Sequence, residues 1–159
     1  EEGVTDLFRD VIGALWEERT GATEKPVLDL FTLEGTRMQY TEGARDPDSM
    51  NPDAWTMDQF GLDRPGNKLI QLDLQADYHT NLERYPQWQR YFREHQPPTL
   101  VVWGEGDPLF GPDGARAYEQ DLETVEVHLL DTGHFALEED CEVIANHMRR
   151  FLGEHVPAA

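Results

Sequence analysis

Two short apolar runs, residues 99–103 and 125–130, constrain this chain more than any other feature. The first, Thr-Leu-Val-Val-Trp, is continuous and largely β-branched or aromatic, as expected of a strand buried in a parallel sheet. Each run ends in a polar, glycine-containing turn. Gly104-Glu105-Gly106-Asp107-Pro108 follows the first, and Asp131-Thr132-Gly133-His134-Phe135 follows the second. Between the runs, Gly111-Pro112-Asp113 opens a helical stretch with Ala115, Ala117, Tyr118 and Leu122 on its apolar face. Beyond the second turn a last helix starts near Asp140. Val143, Ile144, His147, Met148, Phe151 and Leu152 recur on it at helical spacing, up to a stop at Gly153. Residues 97–153 therefore predict β-α-β-α, with parallel strands joined by a right-handed crossover.

The preceding residues have a different character. Val4, Leu7, Phe8, Val11, Ile12, Leu15 and Trp16 follow a helical period over residues 4–18, with Gly21 as the stop. Thr23 is expected to cap a second helix with Pro26 in its first turn, running past Gly35 to Tyr40. A polar loop spans residues 42–53. Asn51-Pro52-Asp53 then has the order of cap, first-turn proline and first-turn acid. Trp55, Met57 and Phe60 lie on the helix that follows. A further helix is expected over residues 67–84, and Pro86 breaks or restarts it. Residues 1–95 thus predict an almost wholly helical unit.

Acidic residues number 32 against 13 Lys and Arg, for a formal charge of -19. That field repels phosphate backbones and anionic membranes, so no nucleic-acid or membrane partner is expected. No apolar run reaches the length of a membrane span. The single cysteine, Cys141, cannot form an intrachain disulfide and suits a reducing cytoplasm, with packing its expected role. The Glu-Glu-Gly-Val start has neither the basic residues nor the apolar core of a signal peptide, and fits a chain that was processed or that begins partway through a longer protein.

The chemistry lies in the two turns. Asp107 and His134 each follow a strand end, 27 residues apart with one crossover between them. A carboxylate that accepts from an imidazole fixes its tautomer and stabilises the imidazolium. The ring can then act as a general base on a nucleophile or a water. His128, Asp131, His134 and Glu138 are also close in sequence, but they lack a compact metal-ligand spacing, so no metal is expected.

Val102-Trp103-Gly104-x-x-Asp107 and Gly133-His134-Phe135-x-x-Glu138 resemble the acid and histidine segments of the α/β-hydrolase fold. They are most similar to its epoxide hydrolase and haloalkane dehalogenase branch. The helix-rich residues 1–96 resemble the cap (lid) domain of such enzymes, and residues 97–159 the C-terminal part of the hydrolase core. The resemblance implies an α/β fold with Asp107 and His134 as acid and histidine of a nucleophile–histidine–acid triad. It implies no cofactor, and a small-molecule substrate: an epoxide, a haloalkane or an ester. Tyr40 and Tyr78 are candidates for the cap tyrosines that donate to an opening epoxide, and Trp55 is a candidate for the pocket wall.

The chain departs from that pattern at the nucleophile, which such enzymes carry on a sharp strand-to-helix elbow. The lone serine, Ser49, has neither a strand before it nor flanking glycines. Asp113, Asp131 and Cys141 fit no better. The N-terminal strands of the sheet are missing too, so the expectation is the C-terminal portion of a hydrolase, inactive alone and prone to self-association through an open sheet edge. Two alternatives stand beside it: a non-catalytic helical interaction module or degenerate remnant, and a serine ester hydrolase if the outside nucleophile is Ser.

Overall fold

A computed structural model describes residues 3–156. Helical structure begins at α1 (Asp6–Phe8), passes through a π-helical turn (Arg9–Gly13) and ends in α2 (Ala14–Glu17). It starts two residues later than the apolar period because Thr5 caps it, accepting from the Phe8 N–H. Val4, the first residue of that period, instead forms an antiparallel bridge with Phe110.

Gly21 does not stop this helix. It is the first residue of α3 (Gly21–Leu30). Thr20, not Thr23, is the cap. Thr20 Oγ1 accepts from Thr23 N–H at 3.3 Å and Thr23 Oγ1 from Thr20 N–H at 2.9 Å, the reciprocal pattern that satisfies two orphan donors at once. Pro26 consequently lies beyond the first turn. The chain breaks at Phe31–Thr32, where Thr32 caps α4 (Leu33–Thr41). Gly35 allows the junction to close, since a Cβ there would fall 2.2 Å from the Asp29 carbonyl oxygen.

The cap, proline and acid at residues 51–53 open α5 (Pro52–Leu62) as expected, with the Asn51 side chain accepting from the Asp53 N–H. The long helix expected over residues 67–84 divides into α6 (Asn67–Asp77) and a 3₁₀ stretch (Tyr78–Arg84), and α7 (Tyr85–His95) restarts with Pro86 in its first turn. Ile12, Leu15, Val27 and Leu72 form the buried centre of this helical unit, with Phe8, Val11, Trp16, Leu28, Phe31 and Ala76 packed against it. α1–α2, α3 and α6 thus share one core.

β1 (Thr99–Gly104) pairs in parallel with β2 (Val125–Leu130), in register from Thr99 opposite Val125 to Gly104 opposite Leu130. The connection is the short α8 (Pro112–Arg116) and a 3₁₀ turn (Ala117–Gln120). α9 (Ala136–His155) begins at the histidine turn rather than at Asp140 and runs through Gly153. Asp140, at φ -129° and ψ 41°, kinks it, so the first turn has its own direction. Val101, Leu109, Ala115, Leu122 and Ile144 are buried in this second layer. Among the described residues no helix is long and apolar enough to cross a membrane. The fold is a helical unit followed by a small two-stranded parallel sheet with helices.

Candidate functional site

Asp107 and His134 meet where the two strands end. His134 Nδ1 lies 2.9 Å from Asp107 Oδ2. Asp107 Oδ1 accepts from two backbone N–H groups, Leu109 at 2.8 Å and Phe110 at 3.0 Å. The carboxylate is therefore fixed by its own turn, and its side chain is 4% exposed while that of His134 is 23% exposed. A carboxylate can only accept, so Nδ1 carries a hydrogen, and in the neutral ring Nε2 presents a lone pair. That is the state a general base requires.

The two turns continue the sheet's hydrogen bonding past its strands. The Glu105 N–H reaches the Leu130 carbonyl at 2.8 Å and the Gly106 N–H reaches the Thr132 carbonyl at 3.0 Å. Thr132 is fully buried, and its hydroxyl meets no hydrogen-bonding partner among the described residues. The segment after α4 runs across both turns. A Cβ on Gly43, which sits at φ +74°, would fall 1.8 Å from the Gly106 carbonyl oxygen, so only glycine fits this crossing.

The N-terminal segment braces the acid turn from the other side. Thr5 Oγ1 lies 2.7 Å from the Pro108 carbonyl and 2.9 Å from that of Leu109, and the Gly111 N–H donates to the Gly3 carbonyl at 2.8 Å. Trp103 Nε1–H donates to the Phe110 carbonyl at 2.9 Å. Phe110 in turn lies near the His134 ring, with centroids 5.8 Å apart.

Of the three aromatic residues singled out by sequence, Tyr40 and Trp55 gather near the histidine turn. Tyr40 stacks face to face on Phe135 at 3.9 Å, and Phe135 meets the His134 ring edge-on at 4.9 Å. Trp55 is 6.0 Å from Tyr40. The Tyr40 hydroxyl donates to Asp58 Oδ2 at 2.6 Å. Burial, then that bond, hold the phenol well above its ordinary range, so it remains a donor. Tyr78 belongs to a different aromatic group. It stacks on Trp16, and its hydroxyl lies 3.3 Å from that of Tyr85.

The other polar candidates lie apart from this chemistry. Ser49 ends a 3₁₀ turn (Pro47–Ser49), and its hydroxyl donates to the Asp46 carbonyl at 2.8 Å. Cys141 is free and exposed on α9, where a packing role was expected. The His128 and His147 rings lie 3.9 Å apart, tilted by 32°, and among the described residues His128 forms no ligand cluster with Asp131 and Glu138. The carboxylates of Glu126 and Glu154 and the ring of His155 bring one ligand atom each within 4.8 Å of one another. Arg150 already binds both carboxylates, so this grouping is an ion-pair network.

Sequence reasoning gave no part in the site to Thr5, Arg45, Phe110 and Glu139, quoted Phe135 only as a motif residue, and named Asp140 only as a helix start. The motif marks Glu138, but it is Glu139 whose carboxylate accepts from the Gly133 N–H at 2.7 Å and from the Arg45 N–H at 2.9 Å. Arg45 and Asp140 form a two-pronged pair at 3.0 and 3.2 Å. The only advance signal was a run of acids just after the histidine.

Residues 6–140 match the alpha/beta hydrolase fold family. The chain is 38% identical over 158 residues to the "Uncharacterized hydrolase YNR064C" of Saccharomyces cerevisiae, a match covering 98% of this chain and 54% of that protein. The crystal structure of a His-tagged serine hydrolase involved in carbazole degradation, the CarC enzyme, shares the fold at a TM-score of 0.52 and 20% identity. That alignment covers 78% of this chain and 48% of the other. The chain thus spans about half the length of the relatives it matches. These names reach the hydrolase superfamily but not the epoxide hydrolase or dehalogenase branch. The chain belongs to the alpha/beta hydrolase fold family.

Proposed function

We propose that this chain supplies the acid, Asp107, and the histidine, His134, of a nucleophile–histidine–acid hydrolase acting on a small molecule. The observation that carries this reading is the 2.9 Å bond between His134 Nδ1 and a carboxylate held by two backbone donors. Residues 1–96 act as its lid, and residues 97–159 as part of its core. The nucleophile comes from a segment outside these 159 residues, because the Ser49 hydroxyl is committed to the Asp46 carbonyl and Cys141 lies on an outer helix surface. The chain alone is therefore inactive. The free thiol accords with a reducing, cytoplasmic setting.

In the branch that the two motifs resemble, an aspartate oxygen attacks an electrophilic carbon. The bond to an epoxide oxygen or a halide breaks, and a covalent ester forms. His134 Nε2 then takes a proton from water as the water oxygen attacks the ester carbonyl. Asp107 stabilises the imidazolium that results. Tyr40, Phe135 and Trp55 form an aromatic wall beside this ring.

A serine ester hydrolase is the second reading. It is favoured by the Tyr40 hydroxyl, which is donated to Asp58 and so is not free for an opening epoxide. The test is turnover of matched epoxide, haloalkyl and ester substrates by the chain combined with the N-terminal half of a relative. Activity should appear on combination and vanish with His134→Ala. Release of ester products alone would select the second reading, and activity indifferent to His134 would sink both.

A further inference from the structure

We infer that Glu139 is a positioning residue for His134, fastening the histidine turn to the segment that leaves the lid. Glu139 lies in the first turn of α9. One carboxylate oxygen accepts from the Gly133 N–H at 2.7 Å, immediately before His134. The other accepts from the Arg45 N–H at 2.9 Å, beyond α4. One side chain thus fixes two backbone segments that are 88 residues apart in numbering, as Gly133 and Arg45 show. Charge-assisted bonds of this kind are about twice as strong as neutral ones.

The surroundings hold Glu139 in place. The helix kinks at Asp140, so the first turn is free to follow the histidine turn rather than the long helix. The kink also accompanies a paired contact of the Asp140 carboxylate with the Arg45 guanidinium, at 3.0 and 3.2 Å. Arg45 is therefore held twice, by its main chain on Glu139 and by its side chain on Asp140. On the far side, the Gly43 and Gly106 backbones approach too closely for any side chain at Gly43. The segment from Gly43 to Arg45 runs over both the acid and histidine turns, and Glu139 closes that strap. A reacting histidine must be held to within about 0.5 Å by the groups around it. Asp107 fixes the ring of His134, and Glu139 fixes the backbone from which the ring projects.

The inference rests on the proposed roles of Asp107 and His134, but its test needs no substrate. In the complete enzyme that carries this chain, the Nδ1–H proton shared by His134 and Asp107 is followed by low-field proton NMR with ¹⁵N-labelled histidine. Asp107→Asn identifies the resonance by removing it. Glu139→Ala should abolish or strongly broaden it while the circular-dichroism melt stays cooperative. Glu139→Gln keeps the size and one acceptor and should shift it by less. Arg45→Ala retains its backbone N–H and should leave it in place. An unchanged resonance in either Glu139 variant would overturn the inference. So would its loss only in samples that have also unfolded, which would make Glu139 merely structural. Failure of Asp107→Asn to remove the signal would sink the acid–histidine pair itself.

Discussion

At Asp107 three hydrogen bonds converge on one nearly buried carboxylate. Asp107→Asn puts an amide in that place. An amide nitrogen facing Nδ1 must donate, so the imidazole hydrogen moves to Nε2 and the base is lost. In the reconstituted hydrolase, kcat should fall by about 10⁴-fold, measured by steady-state kinetics. A fall of less than tenfold would contradict the assigned role. Thr132 invites the opposite experiment. Its fully buried hydroxyl has no partner among the described residues, and burying such a group costs about 1–3 kcal/mol. Thr132→Val keeps the shape and removes the hydroxyl, while the main-chain carbonyl still accepts from Gly106. Denaturant unfolding should place this variant level with the parent or above it. A loss of more than 1 kcal/mol would reveal a partner for that hydroxyl.

Among the elements, the seam between β2 and α9 carries the pH dependence. His147 is held below its ordinary 6.5 by burial first, then by His128 and Arg150, against the opposing pull of Glu126. A histidine favoured as neutral in the folded state contributes stability that is complete above pH 6.5 and lost as pH falls below it. The Arg150 guanidinium, helped by His128, draws Glu126 down to about 2, against the opposing effect of its desolvation. Its contribution is complete above the ordinary 4.5 and lost as pH falls toward 2. Unfolding midpoints should therefore decline in two acid steps. His147→Phe should remove the first step and Glu126→Gln the second. A midpoint flat from pH 7 to 5 would contradict the His147 assignment, and one flat from pH 4.5 down to 2 the Glu126 assignment. In the helical unit, Leu72 is 1% exposed at the centre of the core, and Leu72→Ala should cost about 2–5 kcal/mol in the same assay.

The elements also mark where sequence reasoning succeeds and where it stops. β1, β2 and the start of α5 follow from local rules: a β-branched run, and an Asn-Pro-Asp cap whose geometry is set within three residues. The meeting of Asp107 and His134 was legible for the same reason, since a strand end and a glycine turn place each of them. Thr20 and Thr32 were missed as caps because several threonines compete, and the choice depends on which junction the core closes. Gly21 opens α3 and Gly153 lies inside α9, each with open space where a Cβ would be, so neither glycine marks a stop. Glu139 and Arg45 could not be found, nor could the Tyr40 partner of Phe135, because these contacts join separate elements that only the folded chain brings together.

Across the whole molecule, the balance is between an apolar surface and a strong negative charge. In the two-stranded sheet, β1 pairs only with β2 among the described residues. Met57 and Phe60 on α5, and Leu69, Ile70 and Leu74 on α6, are more than half exposed. An unpaired strand edge and exposed apolar side chains favour association, while a formal charge of -19 opposes it. Salt screens the charge and leaves the apolar surface in place. The isolated chain should therefore be least associated at low ionic strength and form larger species as salt is added, as read by sedimentation velocity. A monomer at every salt concentration would contradict this.

The most direct test is complementation. The 159-residue chain is mixed with the N-terminal half of a relative, and hydrolysis is followed with His134 intact and with His134→Ala. Neither half should turn over substrate alone, the mixture should, and the substitution should abolish that activity. Turnover by the isolated chain, or a mixture equally active without the His134 imidazole, would contradict the assignment of this chain as the acid–histidine half of a hydrolase.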